Sequence, residues 1–469
     1  MPSPSPGETS GGRPEAPGFA MRESGFPSDF EQQRARRAAL RRRVVILLFF
    51  ICLLGGIQTA SPAFYGLTYL WAALLAASWV WVRLGLVGLE LQRVLRSPRS
   101  QAGAIIEERF VLRNRSRVPH LWVELWDEST LPDHHASTVL TGLGPHTSRH
   151  WVVHTLCTER GRFQLGPLTA RVADPFGLFL NEKRFPQTAD LVVHPYTARL
   201  PAVILSPSRL PGGTAVQRKT AAVTPSAAGV REYAPGDSLT RIHWPSTARR
   251  DRLISKEFEL DPKADVWLVL DSQRDVHCRL PQAAPPESAK DVPFWARRPQ
   301  FHLPPATEEY CVAAAASLAD YFLHHDRSVG LAAYAQQREV IQPDRGERQR
   351  ERLMERLATL RAESDLSLAD ALRLEGASFP RGSTVVLISP SAELDVALAA
   401  QHLRSRGIEV AVVLIERGGF GSEQSVAEVA LRLRGLRVDV RLVRRDDDLS
   451  SALIGHSLAP RLTPWRPAV

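Results

Sequence analysis

The sequence has little cysteine. Four in 469 residues, Cys52, Cys157, Cys278 and Cys311, stand far apart with no C-x-x-C spacing. Neither a disulfide framework nor a thiolate zinc site is indicated, and a reducing compartment fits. Catalytic signatures are missing as well. No G-x-x-x-x-G-K-[ST] phosphate loop, G-x-S-x-G elbow or H-E-x-x-H helix occurs, which removes the commonest NTPase, serine-hydrolase and zinc-protease readings. A concentrated basic face is absent too. The formal net charge is +9, yet residues 1–99 hold 12 arginines against 6 carboxylates, and the other 370 residues hold 47 basic against 44 acidic side chains. Nucleic-acid affinity needs many phosphates neutralised on one surface, so no nucleic-acid partner is expected.

What is present begins with a Pro-, Gly- and Ser-rich stretch, residues 1–32, too poor in large apolar groups to order itself. Residues 33–98 then read as a transmembrane hairpin. The arginines Arg34, Arg36, Arg37, Arg41, Arg42 and Arg43 precede an apolar run over 44–60, and a second, uncharged run spans 64–82. As a helix that second run rises about 28 Å, close to the hydrocarbon thickness of a bilayer. Arg83, Arg93, Arg96 and Arg99 follow it, while the turn between the runs is short and uncharged. The positive-inside tendency therefore puts both flanks, and everything C-terminal, in the cytoplasm. The expected location is a cell membrane, multi-pass, with the bilayer as a partner. Cleavage of the first run as a signal peptide would leave the second as a stop-transfer helix and give the same side.

Two soluble domains follow. Residues 99–195 form short alternating runs broken by Gly, Pro and Asn, which predict an antiparallel β-sandwich. Residues 266–455 change rhythm. Apolar strands over 266–272, 328–335, 384–390, 410–416 and 438–445 alternate with amphipathic helices over 307–325, 346–362, 392–406 and 422–433. That order predicts a parallel sheet covered on both faces, a doubly wound α/β domain. A Pro-rich stretch, 277–306, leaves the end of the first strand, and loops of that length are usually functional or disordered. Residues 456–469 are a tail.

The connector, 196–265, holds the densest polar and aromatic segment, GVREYAPGDSLTRIHW over 229–244, followed by Arg249, Arg250 and Glu257. Pro235-Gly236 suits the central pair of a type II turn. As an inter-domain clamp, Arg231, Arg241 and Arg249 would pair with Glu232, Asp237 and Glu257, with Tyr233 and Trp244 packed below them. As a partner-docking surface, the same Arg, Tyr and Trp side chains would be the anchors. A third reading is an enzyme at the membrane face with His243 as general base beside Asp237 and Arg241. His324-His325, near a helix end, reads as an exposed cap.

GVREYAPGDSLTRIHWPSTARRDRLISKEFE resembles the signature of the bacterial domain of unknown function number fifty-eight, and RGRFQLGPLTARVADPFGLF followed by LVVHP resembles the segment upstream of it. The resemblance implies an α/β part similar to a von Willebrand factor type A domain. It also implies encoding beside MoxR-type AAA+ ATPases, and often beside membrane-bound transglutaminase-like proteins. The expectation is a membrane-anchored cytoplasmic adaptor for such an ATPase, not an enzyme, with no catalytic residues assigned. A type A metal site takes D-x-S-x-S, a later Thr and a further Asp. Here the first motif reads Asp271-Ser272-Gln273-Arg274-Asp275, Ser367 stands in the place of the Thr, and Ser389-Pro390 replaces the usual Asp-Gly. Arg274 would carry positive charge towards a cation, so no cofactor is expected. In the alternative reading, a metal-dependent type A binding module, Asp271 and Ser272 are the candidate Mg²⁺ ligands.

Overall fold

The computed structural model describes residues 28–201, 227–232, 242–258, 265–281, 301–335, 337–375 and 378–454, and the chain divides into two compact units. The readings of 1–27 and 456–469 as tails lie outside the described residues. So do most of the 277–306 loop and the turn carrying Tyr233, Pro235, Gly236, Asp237 and Arg241.

The first unit opens with helices α1 (Ser28–Thr59) and α2 (Pro62–Leu84); α1 thus begins inside the stretch read as tail. Only Ala60 and Ser61 separate them. Pro62 occupies the first turn of α2, where a missing N–H is an orphan in any case. A Cβ on Gly55 would come within 3.1 Å of the Phe64 ring and one on Gly56 within 3.3 Å of Tyr65, so two glycines let the aromatics of α2 close on α1. Among the described residues one helix, α2, is long and apolar enough to cross a membrane. The expected hairpin of two spans is to that extent reduced to one. Leu67, Tyr69, Leu70, Trp79 and Val80 of α2 are exposed, an outward apolar stripe that a helix in water would bury.

Ten strands follow: β1 (Leu89–Leu95), β2 (Arg99–Gln101), β3 (Ile105–Asn114), β4 (His120–Asp127), β5 (Thr138–Leu143), β6 (Ser148–Leu156), β7 (Gly161–Leu165), β8 (Leu168–Ala173), β9 (Leu180–Phe185) and β10 (Ala189–His194). They form three sheets, β1-β3-β6, β2-β10-β7 and β5-β4-β8-β9, a β-rich domain as the alternation predicted. Leu89, Leu91, Phe110 and Leu112 of one sheet meet Val123, Leu125, Leu168 and Ala170 of another in the core. The expected start at residue 99 is too late. β1 begins at Leu89 because Leu89 and Leu91 are alternate inward positions. Residues 85–88 therefore join α2 to the sheet directly. That joint is tied down: Asn181 Nδ2 donates to the Val82 carbonyl at 3.4 Å and Lys183 Nζ to that of Leu89 at 2.6 Å, while the Arg115 N–H donates to the Gly88 carbonyl at 2.8 Å.

The second unit contains β11 (Ala227–Glu232), α3 (Trp244–Arg250), β12 (Ile254–Phe258), β13 (Val266–Leu270), α4 (Thr307–His324), β14 (Val329–Tyr334), β15 (Arg338–Asp344), α5 (Gly346–Thr359), α6 (Leu368–Glu375), β16 (Thr384–Ser389), α7 (Asp395–Ser405), β17 (Glu409–Ile415), α8 (Ala427–Gly435), β18 (Asp439–Val443) and α9 (Leu449–Ile454). Its main sheet runs β15-β14-β13-β16-β17-β18. Every pairing is parallel except β14–β15. Side chains of β13 alternate between two cores. Val266, Leu268 and Leu270 join α4, α5 and α9 on one face, and Trp267 and Val269 join α6, α7 and α8 on the other. The five expected strands are present. The sixth, β15, escapes a hydrophobic pattern because Ile341 is its one fully buried side chain.

Candidate functional site

The chain leaves β13 for β14 on one side and later returns to β16 on the other. In an open α/β sheet that reversal leaves a crevice at the carboxyl ends of the two strands. The register pairs Leu270 with Ile388, so the next residues, Asp271 and Ser389, emerge side by side. Both are buried. Asp271 Oδ2 accepts from Ser389 Oγ at 2.6 Å and Oδ1 from the Gln273 N–H at 3.1 Å. Ser389 Oγ in turn accepts the Ser391 N–H at 2.9 Å. His277 Nε2 lies 3.0 Å from the Asp271 carbonyl oxygen and Nδ1 lies 3.1 Å from Thr307 Oγ1. An N–H on Nε2 satisfies the first contact and leaves Nδ1 to accept from the hydroxyl. Burial pushes the Asp271 carboxyl above its ordinary value, and the hydrogen bond from Ser389 offsets only part of that.

The expected metal-site roles are redistributed here. Ser364, not Ser367, meets the end of β13: its N–H donates to the Ser272 carbonyl at 3.0 Å and its own carbonyl accepts from Arg274 N–H at 2.8 Å. Ser367 instead caps α6, accepting from the Asp370 N–H at 3.2 Å. Arg274 is turned outwards, its side chain 64% exposed and 4.0 Å from Asp365, so it brings no charge into the crevice. Ser272 Oγ is buried with no hydrogen-bond partner, yet the Asp271 carboxylate already accepts from Ser389, and the other carboxylate that acts on it, Glu393, is exposed. A hard dication wants about six oxygens, and these residues do not fit one. Among the described residues no cluster of three His, Cys, Asp or Glu side chains is placed to hold a metal.

In the signature segment, β11 and β12 form an antiparallel hairpin that pairs Arg231 with Ser255 and Glu232 with Ile254. The Arg231 and Glu232 side chains lie outside the described residues. His243 is the N-cap of α3. Its Nδ1 accepts the Ser246 N–H at 3.3 Å and lies 2.7 Å from Ser246 Oγ, so one of its two ring nitrogens serves the helix end. α3 stops at Asp251, whose φ of 53° lies in the left-handed region. Trp244 does not sit below a clamp: it is 65% exposed at the first position of α3, and Arg249 and Arg250 are exposed in the last turn.

A third constellation was not read from sequence. Inside the β-rich unit, Arg93 (β1), Glu108 (β3), Asp127 (β4) and His134 bring four charged or titratable side chains together, none more than 2% exposed. Arg93 Nη2 lies 2.5 Å from Asp127 Oδ1. His134 Nε2 lies 3.2 Å from both Glu108 Oε2 and Asp127 Oδ2, with Nδ1 2.8 Å from Thr155 Oγ1. Burial alone would lower the His134 pKa, but the Asp127 and Glu108 carboxylates outweigh it and raise it. Burial likewise opposes ionisation of Asp127, and His134, Arg93 and Ser129 outweigh it and lower its pKa. The sequence signal was a charge at an inward position of each strand, as in LELQRVL and IIEERFVL.

The histidines of α4 do cap its end, His324 Nδ1 lying 2.8 Å from the Asp320 carbonyl and His325 Nδ1 2.8 Å from that of Tyr321.

Residues 229–280, from β11 to just past the Asp271 crevice, match the model of the family described as protein of unknown function DUF58. The signature is similar to that family over this segment alone. A curated relative, the uncharacterized protein YeaD of Bacillus subtilis (strain 168), is 28% identical over 115 residues. That match covers 24% of this chain and 28% of the relative's length. Among solved structures, an aerotolerance-related membrane protein from Bacteroides fragilis matches at 17% identity over 40% of this chain and 94% of its own, with a TM-score of 0.26. A CARDB domain from Pyrococcus furiosus matches at 14% identity over 22% of this chain and 91% of its own, with a TM-score of 0.17. The matched segment thus contains both α3 and the buried Asp271.

Proposed function

We propose that this chain is a membrane-anchored adaptor whose soluble part faces the cytoplasm and binds a protein partner through the DUF58 segment, without catalysis of its own. The partner that the resemblance favours is a MoxR-type AAA+ ATPase. The observation that carries the reading is Trp244, held 65% exposed at the start of α3 with Arg249 and Arg250 at its end. Trp and Arg are the residue types that most often dominate binding energy at interfaces, and a tryptophan left in water within the family-matched segment favours docking over an inter-domain clamp. The apolar outer face of α2 supports the anchor, and the arginines flanking it support the cytoplasmic side.

The test is capture of the full-length chain from detergent-solubilised membranes, with and without ATP, followed by identification of the ATPase. Trp244→Ala should cut recovery about tenfold or more, as loss of an interface centre does, while the melting temperature stays at the parent value. Undiminished recovery returns Trp244 to a structural role. Absence of an AAA+ ATPase in both nucleotide states removes that partner.

A further inference from the structure

The first unit contains a cleft that the adaptor role does not use. Its volume is about 390 Å³, and it is lined by Leu40, Arg41, Val44 and Val45 of α1, Trp71 and Leu74 of α2, and Phe176 and Leu178 of the β8–β9 loop. That falls within the roughly 300–1,000 Å³ typical of ligand clefts. The loop is built to present its aromatic. The buried Asp174 carboxylate accepts from the N–H groups of Phe176 (3.0 Å), Leu178 (2.8 Å) and Phe179 (2.6 Å), which fixes the turn while Phe176 stays 55% exposed. Gly177 has a φ of 67°, and a Cβ there would fall 2.9 Å from Arg41 Nη1, so the absent side chain admits the guanidinium. Arg42 stands 5.8 Å from the Phe179 ring centroid.

We infer that this cleft holds an anionic phospholipid, with an acyl chain along the apolar wall and the headgroup phosphate on Arg41, supported by Arg42. The wall is apolar save for Arg41, and that arginine lies where the basic cluster of α1 gives way to its apolar run. In a bilayer that transition is the headgroup level, where basic side chains meet anionic lipid and apolar ones meet the chains. Continuity with the exposed apolar face of α1 and α2 favours a lipid over a soluble ligand, and the positive charge favours an anionic one. The β8–β9 loop thereby makes the β-rich domain part of the lipid site. The inference rests on the membrane reading above.

The test uses full-length protein in detergent micelles, given equal phosphatidylglycerol and phosphatidylcholine and examined by native mass spectrometry. One phosphatidylglycerol per chain should be retained at least tenfold over phosphatidylcholine. Arg41→Gln should abolish the preference, and Phe176→Ser should weaken retention of both lipids. Arg96→Gln, on an exposed side chain outside the cleft, should change neither. Equal retention of the two lipids by the parent, or an unchanged preference in Arg41→Gln, overturns the proposal. Displacement by millimolar inorganic phosphate would show a phosphate site in place of a lipid site and also overturns it. Melting curves identify a variant that fails to fold, and Arg41→Gln, altered on a helix surface, keeps the test decisive if Phe176→Ser is unstable. Alkaline carbonate extraction separates the two readings: release of the chain overturns the anchor, whereas retention without lipid preference overturns the lipid site alone.

Discussion

Ser389 donates its hydroxyl to the Asp271 carboxylate at 2.6 Å across 118 residues of sequence, tying the ends of the two strands that flank the crevice. The bond is buried and has no solvent to replace it. Ser389→Ala should therefore destabilise the α/β unit by about 1–3 kcal/mol, the usual cost of stranding a buried polar group, read by urea denaturation. The sign of the pH dependence follows from the raised carboxyl. The folded state holds the Asp271 proton above its ordinary 3.8, so stability falls as pH rises from that value towards the folded pKa. Asp271→Asn should flatten this limb; an unchanged slope would show that the carboxyl ionises as freely folded as unfolded.

The ionic network of the β-rich unit gives a different profile. His134 is raised above its ordinary 6.5, so its contribution is complete below that pH and is lost as pH climbs through the folded value. Asp127 is lowered below 3.8, so its contribution is complete above that pH and is lost on acidification. The network should stabilise most between these limits. Thermal melts from pH 4 to 9 should show a fall on the alkaline side that His134→Gln abolishes.

Glu375 is held near pH 2 by the hydrogen bond from Arg338, against its burial, with Tyr334 adding a second donor. Tyr334 Oη donates to Glu375 Oε1 at 2.6 Å, and burial followed by that bond pushes the phenol up to about 12. The Glu375 contribution should be intact above its ordinary 4.5 and disappear as pH falls towards 2. Glu375→Gln should remove this acid limb, and an unaltered acid transition would count against the pairing.

Topology is checked independently of the fold. An alkaline phosphatase reporter fused after Val469 should be silent, whereas one inserted at Ser61, in the turn between α1 and α2, should be active. Activity at Val469 would reverse the orientation.

The elements most legible in the sequence were those whose burial follows a period. β13, β16 and β17 are continuous apolar runs, and Val385–Ile388 and Val410–Ile415 read directly as interior strands. β15 did not, because an edge strand with one buried side chain has no such period. The Asp271 crevice was legible at its first residue, since an acid after an apolar strand is unusual. Its partners were not: which serine faces it depends on register, and Ser364, Ser367 and Ser389 look alike until the strands are paired. The ionic network stayed hidden for a related reason. Arg93 shares the inward face of β1 with Leu89 and Leu91, and Glu108 that of β3 with Ile106 and Phe110, but which charges meet appears only when the strands are paired. Residue type left Trp244 two roles, packed below a clamp or anchoring a partner, and its exposure at the first turn of a short helix departs from the first.

The four-residue joint between α2 and β1 has a mechanical consequence. Because strand residues grip the carbonyls on both sides of it, there is no slack with which the β-rich unit could drift from its anchor. A pull on that unit would reach α2 as tilt or torque. Inserting a flexible Gly-Ser stretch between Gly85 and Gly88 would uncouple the two elements while leaving both ends folded.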